Sequence, residues 1–159
     1  MTRRGRLDGL AITGSAVPGD ADVVVDADLE IVDGGVVVTG TVSSTWVGEC
    51  RRCLRPVRGP LVAQVREIYE RIPFAAVGDG DDADTYPLAG DTLDLAPLAR
   101  DAVLLDLPLA PLCREDCAGL CPICGTDLTD QPCDCAEPAG DPMWAALDVL
   151  RRVEQPDSD

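Results

Sequence analysis

The cysteines are the residues of this chain whose type and spacing could do chemistry. Six of the eight fall within twenty-three residues, and the other two lie about sixty residues upstream. They are Cys50, Cys53, Cys113, Cys117, Cys121, Cys124, Cys133 and Cys135. Eight thiolates are enough for two tetrahedral metal sites of four ligands each. The chain has no histidine, so we expect all-cysteine sites, with zinc as the first choice of metal and iron as the second.

The segment Cys121-Pro-Ile-Cys124-Gly has the spacing of a metal-binding turn. Two thiolates separated by two residues can bind one ion when the backbone between them turns tightly. The proline pre-sets the bend, and Gly125 can take a positive φ after the second ligand. The segment Cys50-Arg-Arg-Cys53 has the same spacing, and it is the second predicted turn of this kind.

A disulfide framework is the alternative use of so many cysteines, and it requires an oxidising compartment. The first ten residues carry charge but no apolar stretch of secretory length, and no run of about eighteen apolar residues appears. We therefore expect a cytoplasmic protein with reduced thiols and no membrane association. On these grounds metal binding is favoured over disulfides or plain buried cysteines.

Two divisions of the thiols remain open from sequence. In the first, Cys50 and Cys53 join Cys113 and Cys117 across the fold, while the four later cysteines close a local site. In the second, one zinc ion takes four of the six clustered cysteines and the upstream pair stays free. We prefer the first division because a leftover thiol pair would need a separate explanation.

The charge balance argues against broad binding to nucleic acid. Acidic residues number 29 against 13 basic ones, for a formal charge of −16, which repels a phosphate backbone over most of the surface. One concentrated basic group surrounds the upstream cysteine pair: Arg51, Arg52, Arg55 and Arg58. These arginines are the best candidate contact for RNA phosphate or an acidic partner. Charge compensation within an acidic protein explains them equally well.

Three classes of function are compatible with these residues. The first is a protein that acts by binding. The second is a redox or zinc-release switch, because the arginines beside Cys50 and Cys53 could lower a thiol pKa. An enzyme is the least favoured class, since the chain shows no histidine base, no glycine-rich phosphate loop and no nucleophile-elbow pattern.

Alternating hydrophobicity predicts antiparallel strands in the first half of the chain. Residues 22–32 alternate cleanly, and Asp33-Gly34-Gly35 is a hairpin turn before a Val- and Thr-rich strand at residues 36–47. Residues 50–60 form the next connection, and residues 61–71 a third long strand. The predicted fold is therefore α+β: an antiparallel β-sheet, as a meander or a partly closed barrel, with a packed helix and a C-terminal cysteine-rich zinc segment.

The second half is predicted to place a helix before the cysteines. Asp94 should cap this helix, with Leu98, Ala102 and Leu105 on its buried face. A second helix should begin at Asp141-Pro142. The predicted segments are an antiparallel β-rich core (1–74), an acidic mobile loop without a ligand (75–91), a core-packing helix with a Pro-rich exit (92–112), a cysteine-rich zinc-binding segment (113–136), and a C-terminal helix and tail (137–159).

The order of the cysteine motifs is that of a known family. Cys-Arg-Arg-Cys comes first, then Leu-Pro-Leu-Ala-Pro-Leu-Cys113, and then Cys-Ala-Gly-Leu-Cys-Pro-Ile-Cys-Gly-Thr-Asp-Leu before Cys-Asp-Cys. On these motifs the chain resembles the YceD family of bacteria and plastids over nearly its whole length. The resemblance implies a role in ribosome assembly, through accumulation of large-subunit ribosomal RNA, without enzyme activity.

The resemblance also implies the kind of partner. A large-subunit ribosomal precursor is the expected target, through a basic ribosomal protein or an assembly factor. The acidic surface suits a basic protein better than bare RNA. Any RNA contact would run through the arginine group.

Overall fold

A seven-stranded sheet and one helix make up the regular structure of the described residues. The computed structural model describes residues 1–71, 85–88, 90–136 and 143 of the chain. The strands are β1 (Thr2–Gly5), β2 (Ala11–Ile12), β3 (Ser15–Ala16), β4 (Val23–Val32), β5 (Gly35–Glu49), β6 (Pro56–Glu70) and β7 (Tyr86–Pro87), and the helix is α1 (Ala96–Asp106). The chain divides into two compact units, Met1–Cys117 and Ala118–Asp159.

Strands β4, β5 and β6 form an antiparallel meander that carries the rest of the sheet. The central strand β5 pairs with β4 over Val24↔Ser43 to Val32↔Gly35, and with β6 along its whole length. On the outside, β1 pairs with β4, β3 with the far end of β5, and β7 runs parallel to the end of β6. The predicted antiparallel sheet is confirmed in its meander form, because the strands of the described residues do not close into a barrel.

The hairpin between β4 and β5 turns where the sequence predicts. Val32 pairs with Gly35, so Asp33 and Gly34 are the two turn residues, and Gly34 has the positive φ of 88° that such a turn requires. The connection predicted at residues 50–60 is shorter than expected, because β6 already begins at Pro56. Proline cannot donate to a ladder, but it is tolerated at this end of β6, where β5 is the partner strand among the described residues.

One face of the sheet packs against α1 to form the hydrophobic core of the first unit. Fourteen buried side chains make up this core: Leu10, Val17, Val23, Val25, Ala27, Val38, Val42, Leu61, Val65, Tyr69, Leu98, Ala99, Val103 and Leu107. Polar Ser15 is also buried, and its hydroxyl donates to the carbonyl of Pro108 at 2.8 Å, just after the helix. The core therefore fixes both the helix and its exit against the sheet.

The helix is present as predicted, but the face that it buries differs from the predicted one. Asp94 accepts a hydrogen bond from the backbone N–H of Ala96 at 3.0 Å, so it does serve the helix start. The buried face is Leu98, Ala99 and Val103, whereas Leu105 is 87% exposed. The prediction that Leu105 is buried is wrong, because several leucines at helical spacing offered more than one apolar face.

Two predicted segments cannot be compared with the structure in full. The four aspartates of the predicted acidic loop and nearly all of the predicted C-terminal helix lie outside the described residues. Within the described part of the chain, no helix is long and apolar enough to cross a membrane.

Candidate metal centres

The first candidate centre joins cysteines that are far apart in sequence. Cys50 and Cys53 lie in the turn between β5 and β6, and Cys113 and Cys117 follow the exit from α1. We call these four residues the first cluster. Their sulfur atoms all lie within 4.8 Å of one another, with Cys50 Sγ 3.8 Å from Cys117 Sγ and Cys53 Sγ 3.6 Å from Cys113 Sγ.

The second candidate centre is local to the second unit. Cys121, Cys124, Cys133 and Cys135, the second cluster, also have all four sulfur atoms within 4.8 Å of one another. An antiparallel bridge between Leu120 and Asp127 closes the loop that carries the first two. The structure thus brings the eight cysteines together in the two groups of the preferred division, and it leaves no pair over.

The two Cys-x-x-Cys turns share one backbone geometry. In the first turn, the Cys50 N–H donates to Arg55 O at 2.8 Å, and the Leu54 N–H donates to Cys50 O at 2.9 Å. In the second, Cys121 N–H donates to Thr126 O at 2.8 Å and Gly125 N–H donates to Cys121 O at 2.9 Å. The residue after the second cysteine has a positive φ in both turns, 61° at Leu54 and 72° at Gly125.

The sulfur spacing of both clusters fits a tetrahedral metal ion. Zinc binds thiolate sulfur at about 2.3 Å, so the edges of a zinc-thiolate tetrahedron are about 3.8 Å long. The two sulfur contacts of the first cluster, 3.8 and 3.6 Å, match that edge. A disulfide needs about 2.05 Å, and all eight cysteines are free thiols. The donor set therefore suits a soft or borderline metal held by four thiolates.

The pKa values of Cys50 and Cys113 in the first cluster are shifted in opposite directions. Burial raises the pKa of Cys50, but backbone hydrogen bonds from Cys53, Cys113 and Arg52 outweigh it and lower the pKa to about 6. Burial and the neighbouring thiols raise the pKa of Cys113 to about 12. The Cys50 thiolate therefore forms more readily than that of Cys113, where a further negative charge would crowd against its neighbours. A bound cation would remove that repulsion.

In the second cluster, too, one thiol has a lowered pKa and another a raised pKa. Hydrogen bonds from the side chain and the backbone of Thr126 lower the pKa of Cys124 to about 6. Contact with Cys124, followed by burial, raises the pKa of Cys135 to about 12. Each cluster mixes buried and exposed thiols: in the first, Cys113 is exposed and the other three are buried, whereas in the second Cys121 is buried.

Arg52 is part of the framework of the first cluster. Its guanidinium Nη1 donates to Glu115 O at 3.1 Å and to Cys117 O at 2.9 Å. The side chain thereby connects the turn of Cys50 and Cys53 to the loop of Cys113 and Cys117. The Arg52 side chain stays exposed while it makes these bonds, and its role as a partner contact stays a prediction.

The other three arginines are placed differently. Arg51 and Arg58 are exposed, and Arg55 is half-buried. The backbone N–H of Arg51 donates to Pro111 O at 2.8 Å, so this residue also fixes the turn to the exit from α1 while its side chain stays at the surface. Arg58 lies on β6, opposite Val47 on β5. Three of the four arginines are thus exposed and Arg55 is half-buried, and a partner contact through them stays a prediction.

The sequence did not reveal the structural roles of two residues in the first turn, Leu54 and Arg52. Leu54 occupies the left-handed position that glycine fills in the second turn, and a leucine gives no sign of that role. Arg52 was chosen for its charge rather than for its carbonyl partners. The order Cys-x-x-Cys-x-Arg aligned with Cys-x-x-Cys-Gly-Thr could have shown that the two turns are alike.

Fold and clusters together define a small β-sheet protein with two four-thiol centres. The chain belongs to the YceD family: the family model described as "Large ribosomal RNA subunit accumulation protein YceD" matches residues 38–151. That range contains all eight cysteines.

Two curated mycobacterial proteins are similar to most of the chain. A Mycobacterium tuberculosis (strain H37Rv) protein named as uncharacterized is 41% identical over 130 residues, covering 80% of this chain and 62% of its own length. A Mycobacterium leprae protein named as uncharacterized is 37% identical over 140 residues, covering 86% of this chain and again 62% of its own length. The chain thus spans less than two thirds of these relatives.

A plastid relative carries a functional name. The "Large ribosomal RNA subunit accumulation protein YCED homolog 1, chloroplastic" of Arabidopsis thaliana is 30% identical over 77 residues, covering 48% of this chain and 24% of its own length. No solved structure matches the chain.

Proposed function

We propose that this protein is a zinc-binding, non-enzymatic, cytoplasmic factor in ribosome biogenesis. It supports accumulation of large-subunit ribosomal RNA by binding a basic ribosomal protein, an assembly factor or RNA of the large-subunit precursor. The family description supplies the direction of this proposal. The observation that carries the chemistry is the pair of four-thiol clusters, each with its sulfur atoms within 4.8 Å.

In this proposal the metal has a structural role. The first cluster would hold one zinc ion through Cys50, Cys53, Cys113 and Cys117, and the second would hold another through Cys121, Cys124, Cys133 and Cys135. Zinc supplies a cross-link between thiolates and contributes directly to folding. All four protein ligands are present in each cluster, so no position is left for substrate, as in structural rather than catalytic zinc sites.

Elemental analysis tests the metal content. The reduced protein, purified without chelator, should contain about two zinc ions per chain, in keeping with two four-thiolate sites. Metal-free protein prepared with a strong chelator serves as the control. A content of one zinc ion, or iron in place of zinc, would contradict the proposal in its present form.

Depletion tests the biological role. Removing the protein from its host should lower mature large-subunit ribosomal RNA relative to small-subunit RNA, because a factor for one subunit affects that subunit first. Quantifying both RNAs, together with gradient profiles of the ribosomal particles, provides the measurement. An unchanged ratio would count against the assembly role.

The remaining arginines supply the test for an RNA contact. Arg51 and Arg58 are exposed, so Arg51→Glu with Arg58→Glu can reverse charge without breaking the carbonyl bonds of Arg52. If RNA is touched here, the double variant should bind precursor particles more weakly and with a smaller salt dependence, because fewer phosphate contacts remain. Unchanged particle binding would assign these arginines to charge compensation.

A redox or zinc-release switch is the second candidate function, and exposure favours Cys113 and Cys124 as its reactive thiols. The thiols first considered for it, Cys50 and Cys53, are buried, whereas Cys124 is exposed. Reactivity follows access to the thiolate. Thiol titration with and without a strong chelator separates the two ideas: a closed zinc centre reacts only after chelation, and a switch reacts at Cys113 or Cys124 with the metal still bound.

A further inference from the structure

Within the part of the chain that the structure describes, the outer edge of β6 is open over most of its length. Among the described residues, β7 is the strand paired to that edge, and it pairs only at Tyr69 and Glu70. Residues 61–68 contain no proline, so their outward N–H and C=O groups can accept another strand. Such an edge is a template for pairing with a second chain unless something blocks it.

A groove runs beside this open edge. Helix α1 packs next to β6, and a cavity of about 220 Å³ lies between them. Its apolar lining is Ala63, Val65, Leu98, Ala102 and Leu105. Leu105 is 87% exposed there, although it lies on the helix of the hydrophobic core. Open strand edge and apolar groove together can receive both the backbone and alternate side chains of an extended peptide.

The charge of the groove selects the occupant. Glu67 on β6 and Asp101 and Asp106 on α1 line it, and no arginine does so among the described residues. These carboxylates repel nucleic acid phosphate. They also oppose edge-to-edge pairing with a second copy, because the same acidic groups would meet across the interface. A basic extended segment is the complementary ligand.

We propose that the groove between β6 and α1 binds a basic, extended segment of a partner protein as an additional strand beside residues 61–68. The partner backbone pairs with the outer edge of β6, and alternate side chains pack on Leu98, Ala102 and Leu105. Basic residues occupy some of the same groove-facing positions, where they meet Glu67 and Asp106. This inference rests on the proposed function for its expectation of a basic partner. It adds the place on this protein where that partner binds.

Three labelled peptides test the mode of binding by fluorescence anisotropy. The first is a ten-residue peptide in which valine and lysine take turns at every second position with threonine between them, the second is the same peptide N-methylated at every residue, and the third has glutamate in place of lysine. The zinc-loaded full chain should bind the first peptide. N-methylation removes the strand hydrogen bonds but keeps the charge, so binding should weaken at least tenfold, and the glutamate peptide should not bind.

A matched pair of variants tests the location. Leu105→Arg changes a groove residue that is 87% exposed, and Ile31→Arg makes the same charge change at a residue of β4 that is 86% exposed. Leu105→Arg should weaken binding of the lysine-valine peptide at least tenfold, whereas Ile31→Arg should stay within twofold of the unmodified protein. Both variants should keep the circular dichroism spectrum and the zinc content.

Several results would overturn the inference. Equal binding of the parent and N-methylated peptides would show charge attraction without strand pairing. Equal binding by Leu105→Arg and the unmodified protein would place the contact elsewhere. A dimer that Leu105→Arg dissociates would make a second copy the occupant. If these results appear while depletion still lowers large-subunit RNA, the groove assignment fails alone. If depletion has no effect and the peptide binds as expected, the ribosomal role fails and the groove remains.

Discussion

At the scale of single residues, the two cysteine turns differ at the position after the second cysteine. Leu54 holds a φ of 61° and Gly125 a φ of 72°. A left-handed conformation costs an ordinary L-residue about 1–2 kcal/mol and costs glycine almost nothing. The first turn therefore carries backbone strain that the second avoids, and the surrounding bonds of Cys50 and Arg55 must offset it.

Exchanging these residues should reveal that difference. Gly125→Leu should weaken metal retention by the second cluster by about 1–2 kcal/mol, or roughly five- to thirtyfold, although a Cβ at this position meets nothing within 4 Å. Leu54→Gly should change the first cluster little, because relief of strain is opposed by the greater freedom of the unfolded chain. Competition with a chromogenic chelator measures both, and equal effects of the two changes would disagree with this account.

Arg52 offers a second test at this scale. Arg52→Gln removes the guanidinium that bridges the two loops of the first cluster through Glu115 O and Cys117 O. We expect a loss of about 1 kcal/mol in stability, the typical value for a net hydrogen bond, and faster metal release from the first cluster. Arg51→Gln is the matched control, because the exposed Arg51 side chain can change while its backbone bond to Pro111 remains. Identical release rates would remove Arg52 from the framework.

At the scale of elements, the strands could be predicted and the orientation of the helix could not. Alternation of residues 22–32 reflects burial on one side of a sheet, which is a local property, and the hairpin turn depends on Asp33 and Gly34 alone. The face of α1 depends on which leucines meet the sheet. Leu98, Leu104, Leu105 and Leu107 offer competing apolar stripes, and only tertiary packing decides among them.

The cysteine clusters show the same limit. Spacing alone indicates that Cys50 with Cys53, and Cys121 with Cys124, form turns. Which turn meets Cys113 and Cys117 depends on the β5–β6 connection lying beside the exit from α1. That proximity is produced by the core and by the bond from Arg51 to Pro111, so local sequence could suggest the division but could not decide it.

The two tyrosines of the chain report on the packing of the sheet edge. Tyr69 is 1% exposed, donates its hydroxyl to Asp94 O at 2.9 Å and stacks on Tyr86 at a centroid distance of 5.2 Å. Burial, with the carboxylates of Asp94, Glu67 and Asp101, raises the pKa of Tyr69 to about 12. Burial and its hydrogen bond to Asp101 also raise the pKa of Tyr86.

A raised tyrosine pKa means that the fold favours the neutral phenol. The stability that this contributes is present below the ordinary pKa of about 10 and is lost as pH rises from there through about 12. Near-ultraviolet absorbance should therefore show tyrosinate in the denatured chain near pH 10 but not in the native protein. Tyr69→Phe should flatten the fall in unfolding free energy over this range. Native titration near pH 10 would show that Tyr69 is accessible to solvent.

At the scale of the whole molecule, the two clusters should contribute differently to stability. The first closes loops of 60 and 67 residues in the first unit, between Cys53 and Cys113 and between Cys50 and Cys117. The second lies wholly within the second unit, Ala118–Asp159. Cross-links that close long loops restrict the unfolded chain more than short ones. Metal in the first cluster should therefore govern the folding of the sheet and helix.

Single cysteine substitutions separate these contributions. Cys53→Ser and Cys124→Ser should each lose one metal ion per chain. Cys53→Ser should also lower the melting temperature of the sheet and slow its folding, whereas Cys124→Ser should leave amide-exchange protection of β5 and β6 unchanged. Metal analysis combined with hydrogen exchange gives both readouts. Full metal content and unaltered stability in Cys53→Ser would disprove the first cluster as a structural metal site.

The long loop between the halves of the first cluster also has a consequence for the newborn chain. Synthesis proceeds at about 5–20 residues per second, and Cys113 follows Cys53 by 60 residues. Cys50 and Cys53 therefore leave the ribosome roughly 3–12 seconds before their partners do. During that interval the pair is an open bidentate thiol site on an unfinished sheet, exposed to any cellular metal or oxidant. Loading of the first cluster consequently waits for a distant segment of the chain, whereas the second cluster receives all its ligands within fifteen residues.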